Sequence, residues 1–213
     1  MKIETIVVTG NIGSGKSTVI NTIKAESKVK VEFFSFDDFT RELYEREDVK
    51  AFLTAMFGTT DRKEISDKVF AAGRQLGKTE VANALRDCLN EFFFKIVEDK
   101  FLELVNRKNH QTMVIEFPMF FEMKQRSLPI QMSRSKVKVI TVACDESIRM
   151  ERVKSRDGIS EEKIAAIVAS QLPQEVKVEN ADYVIDTSHG HCENHIRDLM
   201  RIKFKRVFHH AAE

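Results

Sequence analysis

The stretch TGNIGSGKST, from Thr9 to Thr18, limits the possible folds of this 213-residue chain more than any other feature. It follows an apolar run, Ile6–Val8, and precedes Val19–Ile23, which has the apolar spacing of a helix. The pattern G-x-x-x-x-G-K-[ST] between a strand and a helix is typical of a phosphate-binding loop, the P-loop. Its glycines let consecutive backbone N–H groups curl around an anion, and the helix directs its positive end to the same place.

The parts of this loop have different predicted roles toward a nucleotide. The Lys16 ammonium is expected to reach the terminal phosphates, which makes Lys16 a candidate catalytic residue. The Ser17 hydroxyl is the candidate ligand of Mg²⁺. The residues predicted to bind the nucleotide are Asn11, Ile12, Gly13, Ser14, Gly15, Lys16, Ser17 and Thr18.

Apolar runs with the length of buried strands alternate along the chain with segments of helical period. The apolar runs are Thr5–Thr9, Val31–Phe36, Thr112–Phe117, Val137–Ala143 and Tyr183–Ile185. The helical segments include Ser17–Lys24, Val81–Val105, Glu146–Lys154 and Glu161–Gln171. This alternation predicts an α/β fold of three layers, in which right-handed βαβ units form a parallel sheet covered by helices on both faces.

Neither a Pro- or Ser-rich linker nor an internal repeat divides the chain, so we predict a single domain over residues 1–213. Residues 48–108 have an almost entirely helical pattern that is longer than an ordinary crossover between strands. We predict that this segment is an inserted helical region around the phosphate acceptor. Residues 1–47 and 109–208 would then form the core, with a lid at 149–172.

Charge, cysteine content and hydropathy exclude several classes of protein. The formal net charge of +1 gives no electrostatic basis for non-specific binding to nucleic acid. Cys88, Cys144 and Cys192 are far apart and odd in number, which argues against a disulfide framework and for a reducing compartment. The first residues lack the apolar run of a signal peptide, and no stretch reaches membrane-spanning length. We therefore expect a cytoplasmic protein that binds a small molecule, with neither nucleic acid nor membrane as its partner.

Two carboxylates, Asp37 and Asp38, follow the predicted second strand. Ligands of open α/β sheets bind at the carboxyl ends of the strands, so a carboxylate at this point would face the phosphate site. Phosphoryl transfer to a hydroxyl needs a group that accepts the hydroxyl proton, and Asp37 is the candidate. Arg41, one helical turn later, is a candidate for binding the acceptor. The alternative is that one of the two aspartates only caps the following helix.

The predicted third strand also ends on an acid, Glu116. Beside a P-loop, a carboxylate in this place can lie in the outer shell of Mg²⁺ or orient a water molecule. Glu116 is therefore a candidate site residue on the acceptor side. An equally favoured interpretation is that Glu116 is only a polar residue at the end of the strand.

Arg149, Arg152 and Arg156 follow the predicted fourth strand at spacings that place them on one helix face. A transferring phosphoryl group needs several cations that arrive as water is excluded, and such arginines are often carried on a mobile lid. Asp157-Gly158 then turns the chain toward another helix, as a lid hairpin requires. The alternative is a surface helix stabilised by ion pairs with neighbouring glutamates.

Ordered motifs along nearly the whole chain resemble one family. They are Thr9–Thr18, which is similar to TGGIGSGKST with Asn11 for the second glycine; Asp61–Phe70, similar to R-x-x-L…I-V-F; Val114–Glu122, similar to VLDIPLLFE; and Arg152…Arg156-Asp157…Gln171…Lys177…Ala181–Asp186, similar to R-x-x-x-R-D…Q…K/R…A-D-x-V-I. The last series is long and ordered, so it is much more specific than the P-loop alone. These are the motifs of the dephospho-CoA kinases, a family of nucleoside-monophosphate-kinase-like P-loop proteins.

The resemblance implies transfer of the ATP γ-phosphate to the ribose 3′-hydroxyl of dephospho-CoA, which gives CoA and ADP. It implies a five-stranded parallel sheet of the P-loop kinase fold with a helical CoA-binding region and a lid. Asp37 matches the family's general base, while Arg152 and Arg156 match its lid arginines. Lys177 matches the basic residue of the last motif and joins the candidates for binding the acceptor. ATP and Mg²⁺ are the implied cofactors.

The chain departs from the family pattern at three places. Ser35 replaces the first aspartate of the family's D-A-D motif, Thr187 stands where the family usually has asparagine, and the family's H-P pair has no equivalent around Asn83–Asn90. Two alternatives therefore stay open. One is a deoxynucleoside-monophosphate kinase of the same fold, and the other is a nucleotide-binding switch without an acceptor.

Overall fold

The computed structural model describes residues 5–27, 30–71, 79–107, 112–133, 136–158, 161–190 and 192–204. Its strands and helices are β1 (Thr5–Thr9), α1 (Lys16–Glu26), β2 (Val31–Ser35), α2 (Phe36–Leu43), α3 (Glu47–Phe57), α4 (Arg62–Ala71), α5 (Thr79–Asn106), β3 (Thr112–Glu116), α6 (Phe120–Arg126), α7 (Leu128–Ser133), β4 (Val137–Ala143), α8 (Glu146–Asp157), α9 (Glu161–Ser170), α10 (Gln174–Glu179), β5 (Tyr183–Asp186) and α11 (Cys192–Lys203). Within these ranges, no helix is long and apolar enough to cross a membrane.

The described strands form one parallel sheet with the order β2–β3–β1–β4–β5. β1 is the central strand, and its first residue, Thr5, pairs with Met113 of β3 on one side and Val137 of β4 on the other. The carboxyl end of β1, where the P-loop begins, therefore lies between the carboxyl ends of β3 and β4. This arrangement confirms the predicted α/β fold with a five-stranded parallel sheet.

Burial explains why the strands read as continuous apolar runs. All of β1 is buried, and in β4 only Lys138 is exposed. One face of the sheet packs against α1 and α11 in a single apolar cluster, to which Ile6 and Val8 contribute together with helix residues such as Ile23 and Ile196. Val7, which lies between Ile6 and Val8, points to the other face and is also fully buried.

The chain contains two compact units. The first is drawn from residues 1–36 and 102–213 and contains the sheet. The second, residues 37–101, contains α2, α3, α4 and most of α5. The sequence assigned 48–108 to the helical insert, so the compact helical unit begins earlier and ends earlier than that segment.

Large side chains hold the second unit together. Its apolar cluster is built from Leu43, Val49, Leu53, Phe57 and Ile65. Aromatic rings lie against this cluster, with Phe52 stacked on Phe92 at 3.8 Å between ring centroids and Tyr44 stacked on Phe93 at 5.3 Å. Such stacked pairs contribute about 0.5–1.5 kcal/mol beyond their buried area.

Some element ends differ from those that the apolar runs predicted. β2 ends at Ser35, and Phe36 is the first residue of α2. Phe36 is nevertheless buried and stacks on Phe117 at 4.1 Å, just beyond the end of β3. The apolar pattern therefore marks the extent of burial, which continues one residue past the end of each strand.

Candidate active site

The P-loop connects the carboxyl end of β1 to the first turn of α1, as predicted. Gly13 has a φ of 76°, in the left-handed region that favours glycine. A Cβ atom at this position would lie 2.6 Å from the Arg149 carbonyl oxygen and 2.9 Å from Val153 Cγ2. Gly13 thus lets α8 approach the loop backbone, so the loop and the first part of α8 pack directly on each other.

Lys16 begins α1 and lies along the loop. Its Nζ donates hydrogen bonds to the carbonyl oxygens of Gly10 and Asn11, each at 3.1 Å. Ser17 and Thr18 follow in the first turn of α1 with exposed side chains. The first-turn N–H groups of a helix have no acceptor within the helix, so this end of α1 presents both backbone donors and hydroxyl groups.

The end of β3 adds a carboxylate beside the loop strand. Glu116 pairs in register with Val8 of β1 and with Ser35 of β2, so it lies between the ends of these strands. Its Oε2 accepts a hydrogen bond of 3.0 Å from the Ser35 hydroxyl. Ser35, which replaces an aspartate of the family motif, therefore orients the neighbouring acid. Two carboxylates at these positions would instead repel each other.

Asn11 fastens the P-loop to the segment that follows α9. Its Nδ2 donates to the Leu172 carbonyl oxygen at 3.0 Å, and the Ile12 N–H donates to Gln171 Oε1 at 3.0 Å. A glycine in place of Asn11 would lose the first of these bonds. The sequence analysis predicted that Asn11 and Ile12 bind the nucleotide, and it noted that Asn11 replaces a glycine of the family motif. In the structure, Asn11 Nδ2 and the Ile12 N–H have partners within the protein, while among the described residues the buried Asn11 Oδ1 has none.

Lys177 and Glu122 form a buried ion pair next to Leu172, the residue that Asn11 binds. Lys177 is fully buried, and its Nζ lies 2.7 Å from Glu122 Oε1 and donates to the Pro118 carbonyl oxygen at 3.1 Å. The same Glu122 oxygen accepts the Leu172 N–H at 2.9 Å. Burial lowers the pKa of Lys177; Glu122 opposes this shift, and the positive charge of Arg149 adds to it. The sequence placed Lys177 among the acceptor ligands, whereas the structure surrounds its amine with protein oxygens.

The three arginines of α8 lie in different environments although their spacing suggested one shared face. Arg149 is 6% exposed, and among the described residues its Nε and Nη1 atoms have no hydrogen-bond partner. Arg152 is half-buried and binds Thr187, while Arg156 is exposed. Of these three arginines, Arg156 is the one with the solvent access expected of a lid arginine. Gly158 ends α8 in the left-handed conformation, as the predicted turn requires.

Asp37 and Arg41 belong to the second unit. Because α2 begins at Phe36, Asp37 and Asp38 both lie inside its first turn, where a carboxylate is stabilised by the helix dipole without serving as the cap. Both aspartates are exposed. Arg41 forms an ion pair with Asp38 and donates to the Asp37 carbonyl oxygen at 3.4 Å. The Asp37 carboxylate therefore remains on the surface of its helix.

Cysteine and metal-ligand chemistry contribute little elsewhere in the described part of the chain. The three cysteines are free, and Cys144 is buried at the end of β4. Among the described residues, no group of three or more His, Cys, Asp or Glu side chains could hold a metal ion.

Comparisons with known proteins show which family the chain belongs to. The sequence model of the dephospho-CoA kinase family matches residues 4–193. A dephospho-CoA kinase of Nitrobacter winogradskyi is 30% identical, with 98% of this chain and 96% of that protein covered. One of Bradyrhizobium diazoefficiens is 31% identical over 86% of each chain. The solved dephospho-CoA kinase of Campylobacter jejuni has the same fold, with a TM-score of 0.59, 21% identity and 96% of each chain covered. The chain therefore belongs to the dephospho-CoA kinase family, whose members are ATP-dependent kinases.

Proposed function

We propose that this chain transfers the γ-phosphate of ATP to the ribose 3′-hydroxyl of dephospho-CoA, which gives CoA and ADP. The observation that carries this proposal is the set of polar groups around the end of β1 in a member of this family. There the P-loop, Glu116 and Arg152 come from three different elements of one compact unit. This is the arrangement that phosphoryl transfer needs, because its catalysis is mainly positioning and charge stabilisation.

The donor half of the proposed site is the P-loop. The N–H groups of Gly13 and of Gly15 to Ser17 would surround the phosphates, and Lys16 Nζ would turn from its two loop carbonyls to the terminal phosphates. Arg152 and Arg156 would supply positive charge to the transferring group, Arg152 from beside the loop and Arg156 from solvent.

The residues present fit Mg²⁺. A magnesium ion in a kinase keeps several waters and takes one or two protein oxygens plus phosphate oxygens, so it needs no cluster of protein ligands. The exposed Ser17 hydroxyl in the first turn of α1 would be the direct ligand, and Glu116, already oriented by Ser35, would hold a water of its outer shell. When bound, the ion neutralises negative charge on the phosphates.

The acceptor half of the site begins with Asp37. Its exposed carboxylate would take the proton of the 3′-hydroxyl as the hydroxyl oxygen bonds to the γ-phosphorus, while the bond from that phosphorus to the β-phosphate oxygen breaks. Arg41, which lies on the same helix as Asp37, would bind the acceptor. Lys177 would contribute indirectly to the acceptor side of the site, because its amine forms an ion pair with Glu122 and a hydrogen bond with the Pro118 carbonyl oxygen. We further propose a cytoplasmic location and a small-molecule substrate, with neither nucleic acid nor membrane as a partner.

An acceptor screen tests the reaction. The chain is incubated with MgATP and either dephospho-CoA or one of the deoxynucleoside monophosphates, and ADP release and product mass are measured. We expect CoA from dephospho-CoA and no phosphorylated product from the others. A phosphorylated deoxynucleotide would favour a nucleotide kinase instead. ATP binding without product from any acceptor would favour a nucleotide-binding switch.

The Asp37→Asn variant tests the proposed base. We expect its kcat to fall by about 10²–10⁴-fold, the usual contribution of a general base, while the affinity for ATP is retained. Asp38→Asn is the matched control, because it removes the neighbouring carboxylate of the same helix turn. Unchanged turnover in Asp37→Asn would remove this residue from the mechanism.

A further inference from the structure

Thr187 is held in place by the sheet. It follows the last residue of β5, and its N–H donates to the Ala143 carbonyl oxygen at 2.9 Å, which continues the ladder between β4 and β5. The residue is 4% exposed. Its side chain therefore has a position fixed by two strands of the first unit, at the edge where the P-loop lies.

The Thr187 hydroxyl joins Arg152 to the P-loop. Oγ1 accepts a hydrogen bond of 3.0 Å from Arg152 Nη1 and lies 2.8 Å from the Ser14 carbonyl oxygen. A guanidinium can only donate, so the single hydroxyl proton is left for a carbonyl, and Ser14 is the nearer acceptor than Ala143 at 3.3 Å. The order of donation is thus Arg152 to Thr187 to Ser14.

A second hydrogen bond between Arg152 and Thr187 fixes the plane of the guanidinium. Arg152 Nη2 donates to the Thr187 carbonyl oxygen at 2.8 Å, so Arg152 is held at two points by one residue. Cys144 Sγ accepts a third, weaker contact from Nη1 at 3.4 Å. A guanidinium has five N–H donors, so donors remain that point away from Thr187.

Gly15 shows how close this assembly lies to the phosphate-binding backbone. A Cβ atom on Gly15 would lie 3.3 Å from Thr187 Oγ1 and 3.6 Å from Arg152 Nη1. Gly15 has a φ of 85° and immediately precedes α1. The guanidinium therefore lies against the part of the loop from which the first helical N–H groups point toward an anion.

We propose that Thr187 is a positioning residue that sets Arg152 against the P-loop, so that this cation is already in place for the nucleotide phosphates. This inference rests on the proposed function of Arg152 as a phosphate-binding group. The hydroxyl does two things that a hydrophobic side chain of the same shape would not do. It fixes the distance from Arg152 to the loop, and it satisfies the Ser14 carbonyl.

The test is a double-mutant cycle on ATP binding, measured by calorimetry with MgATP and the full chain. Thr187→Val keeps the branched shape and removes the hydroxyl. We expect about tenfold weaker binding, or about 1.4 kcal/mol, because the guanidinium is then no longer held beside the loop at two points before the phosphates bind. Thr187→Ser keeps the hydroxyl and is expected to bind within about threefold of the wild type. In the Arg152→Ala background, Thr187→Val should weaken binding less than it does in the wild type, because only the bond to the Ser14 carbonyl is then lost.

Equal weakening by Thr187→Val with and without Arg152, or equal weakening by the valine and serine variants, overturns the proposal. Thr187→Ala is a second variant if the valine chain does not fold, and melting temperatures separate loss of folding from loss of positioning. Turnover with dephospho-CoA is measured in parallel. A wild type that binds ATP without turnover would reject the proposed function, while the binding cycle would still decide the role of Thr187.

Discussion

The P-loop edge of the first unit and the interior of the second unit are held together by different kinds of contact. Around the P-loop, side chains bind backbone groups of distant segments, as Asn11 does with Leu172 and Thr187 with Ser14. In the second unit, stacked rings and aliphatic side chains provide the contacts, while charged groups such as Asp37 stay on the surface. Directional hydrogen bonds fix atoms to within a few tenths of an ångström, whereas apolar packing tolerates more adjustment.

This difference corresponds to what each unit is proposed to bind. Phosphates carry the same charge and geometry in every nucleotide, so a rigid, cross-linked loop suits the donor. A larger acceptor with apolar and polar parts is suited by a helical unit with exposed charged side chains and an aromatic interior. If the comparison is correct, substitutions of single buried polar groups will have their main effect at the P-loop edge, and truncations of apolar side chains will have theirs in the second unit.

The largest expected effect comes from Glu122→Leu in the first unit. This change leaves Lys177 and Arg149 as buried cations without the carboxylate that faces Lys177. Removal of one partner from a buried ion pair costs about 3–5 kcal/mol of unfolding free energy. Urea denaturation followed by circular dichroism measures the change. Glu122→Gln, which keeps an acceptor for the Leu172 N–H, is the matched control and should lose less.

The pH dependence of the same variant gives an independent check. Burial lowers the pKa of Lys177, so the unfolded chain binds this proton over a range in which the folded chain does not. The unfolding free energy contributed by Lys177 therefore rises with pH from its folded pKa up to its unfolded value of about 10.4. Glu122 raises the pKa of Lys177, so Glu122→Leu should extend this range toward neutral pH. Identical pH profiles for the two proteins would contradict the assignment.

The next effect is expected in the second unit. Leu53 is fully buried in its apolar cluster, and Leu53→Ala should reduce the unfolding free energy by about 2–4 kcal/mol through lost burial and a cavity. Leu53→Met, which nearly conserves volume, should cost less than about 1.5 kcal/mol. Equilibrium denaturation measures both. If the methionine variant were as unstable as the alanine variant, the second unit would be packed as strictly as the P-loop edge.

A smaller effect is expected from Asn11→Ala. It removes the amide that holds the Leu172 carbonyl and should cost about 1 kcal/mol, the net value of a typical hydrogen bond. The family residue, Asn11→Gly, should be less stable than the alanine variant because glycine adds freedom to the unfolded backbone. Thermal melting gives the ranking. A glycine variant as stable as the wild type would show that the attachment does not stabilise the fold.

The smallest effect is expected from Arg41→Ala. Arg41 and Asp38 are each 63% exposed at the side chain, and exposed pairs contribute less than about 1 kcal/mol. Stability should therefore stay nearly unchanged in denaturation experiments. The useful measurement is the KM for the acceptor, which should rise if Arg41 binds it. An unchanged KM would leave this arginine with only its surface ion pair.

The sequence predicted the parts that depend on local pattern. The P-loop motif specified strand, loop and helix together. The apolar runs located the strands because β1 and most of β4 are buried on both faces and the other strands are at least partly buried. The carboxylate at Glu116 was found because a strand end is visible in the pattern. The apolar run predicted a second strand that extends to Phe36, whereas Phe36 begins α2. The pattern could not separate the two cases because an apolar residue is buried in either position.

The parts that depend on contacts between distant segments were not predictable. Lys177 reads as an exposed basic residue until Glu122, more than fifty positions earlier, is placed beside it. Helical spacing put Arg149 and Arg156 on one face, but packing of α8 against the loop buried only the first. The bond from Thr187 to Ser14 joins residues near opposite ends of the chain.

The central position of β1 has a consequence for how the protein is made. The strand that leads into the P-loop is synthesised well before its pairing partners, which are Met113 and Val137 with their neighbours. The nascent chain must close long loops before either side of β1 is paired, and such closures slow folding. The P-loop is therefore synthesised before β3 and β4 and can take its folded structure only after them. A fragment that ends before β4 would carry the whole motif without the structure that gives it shape.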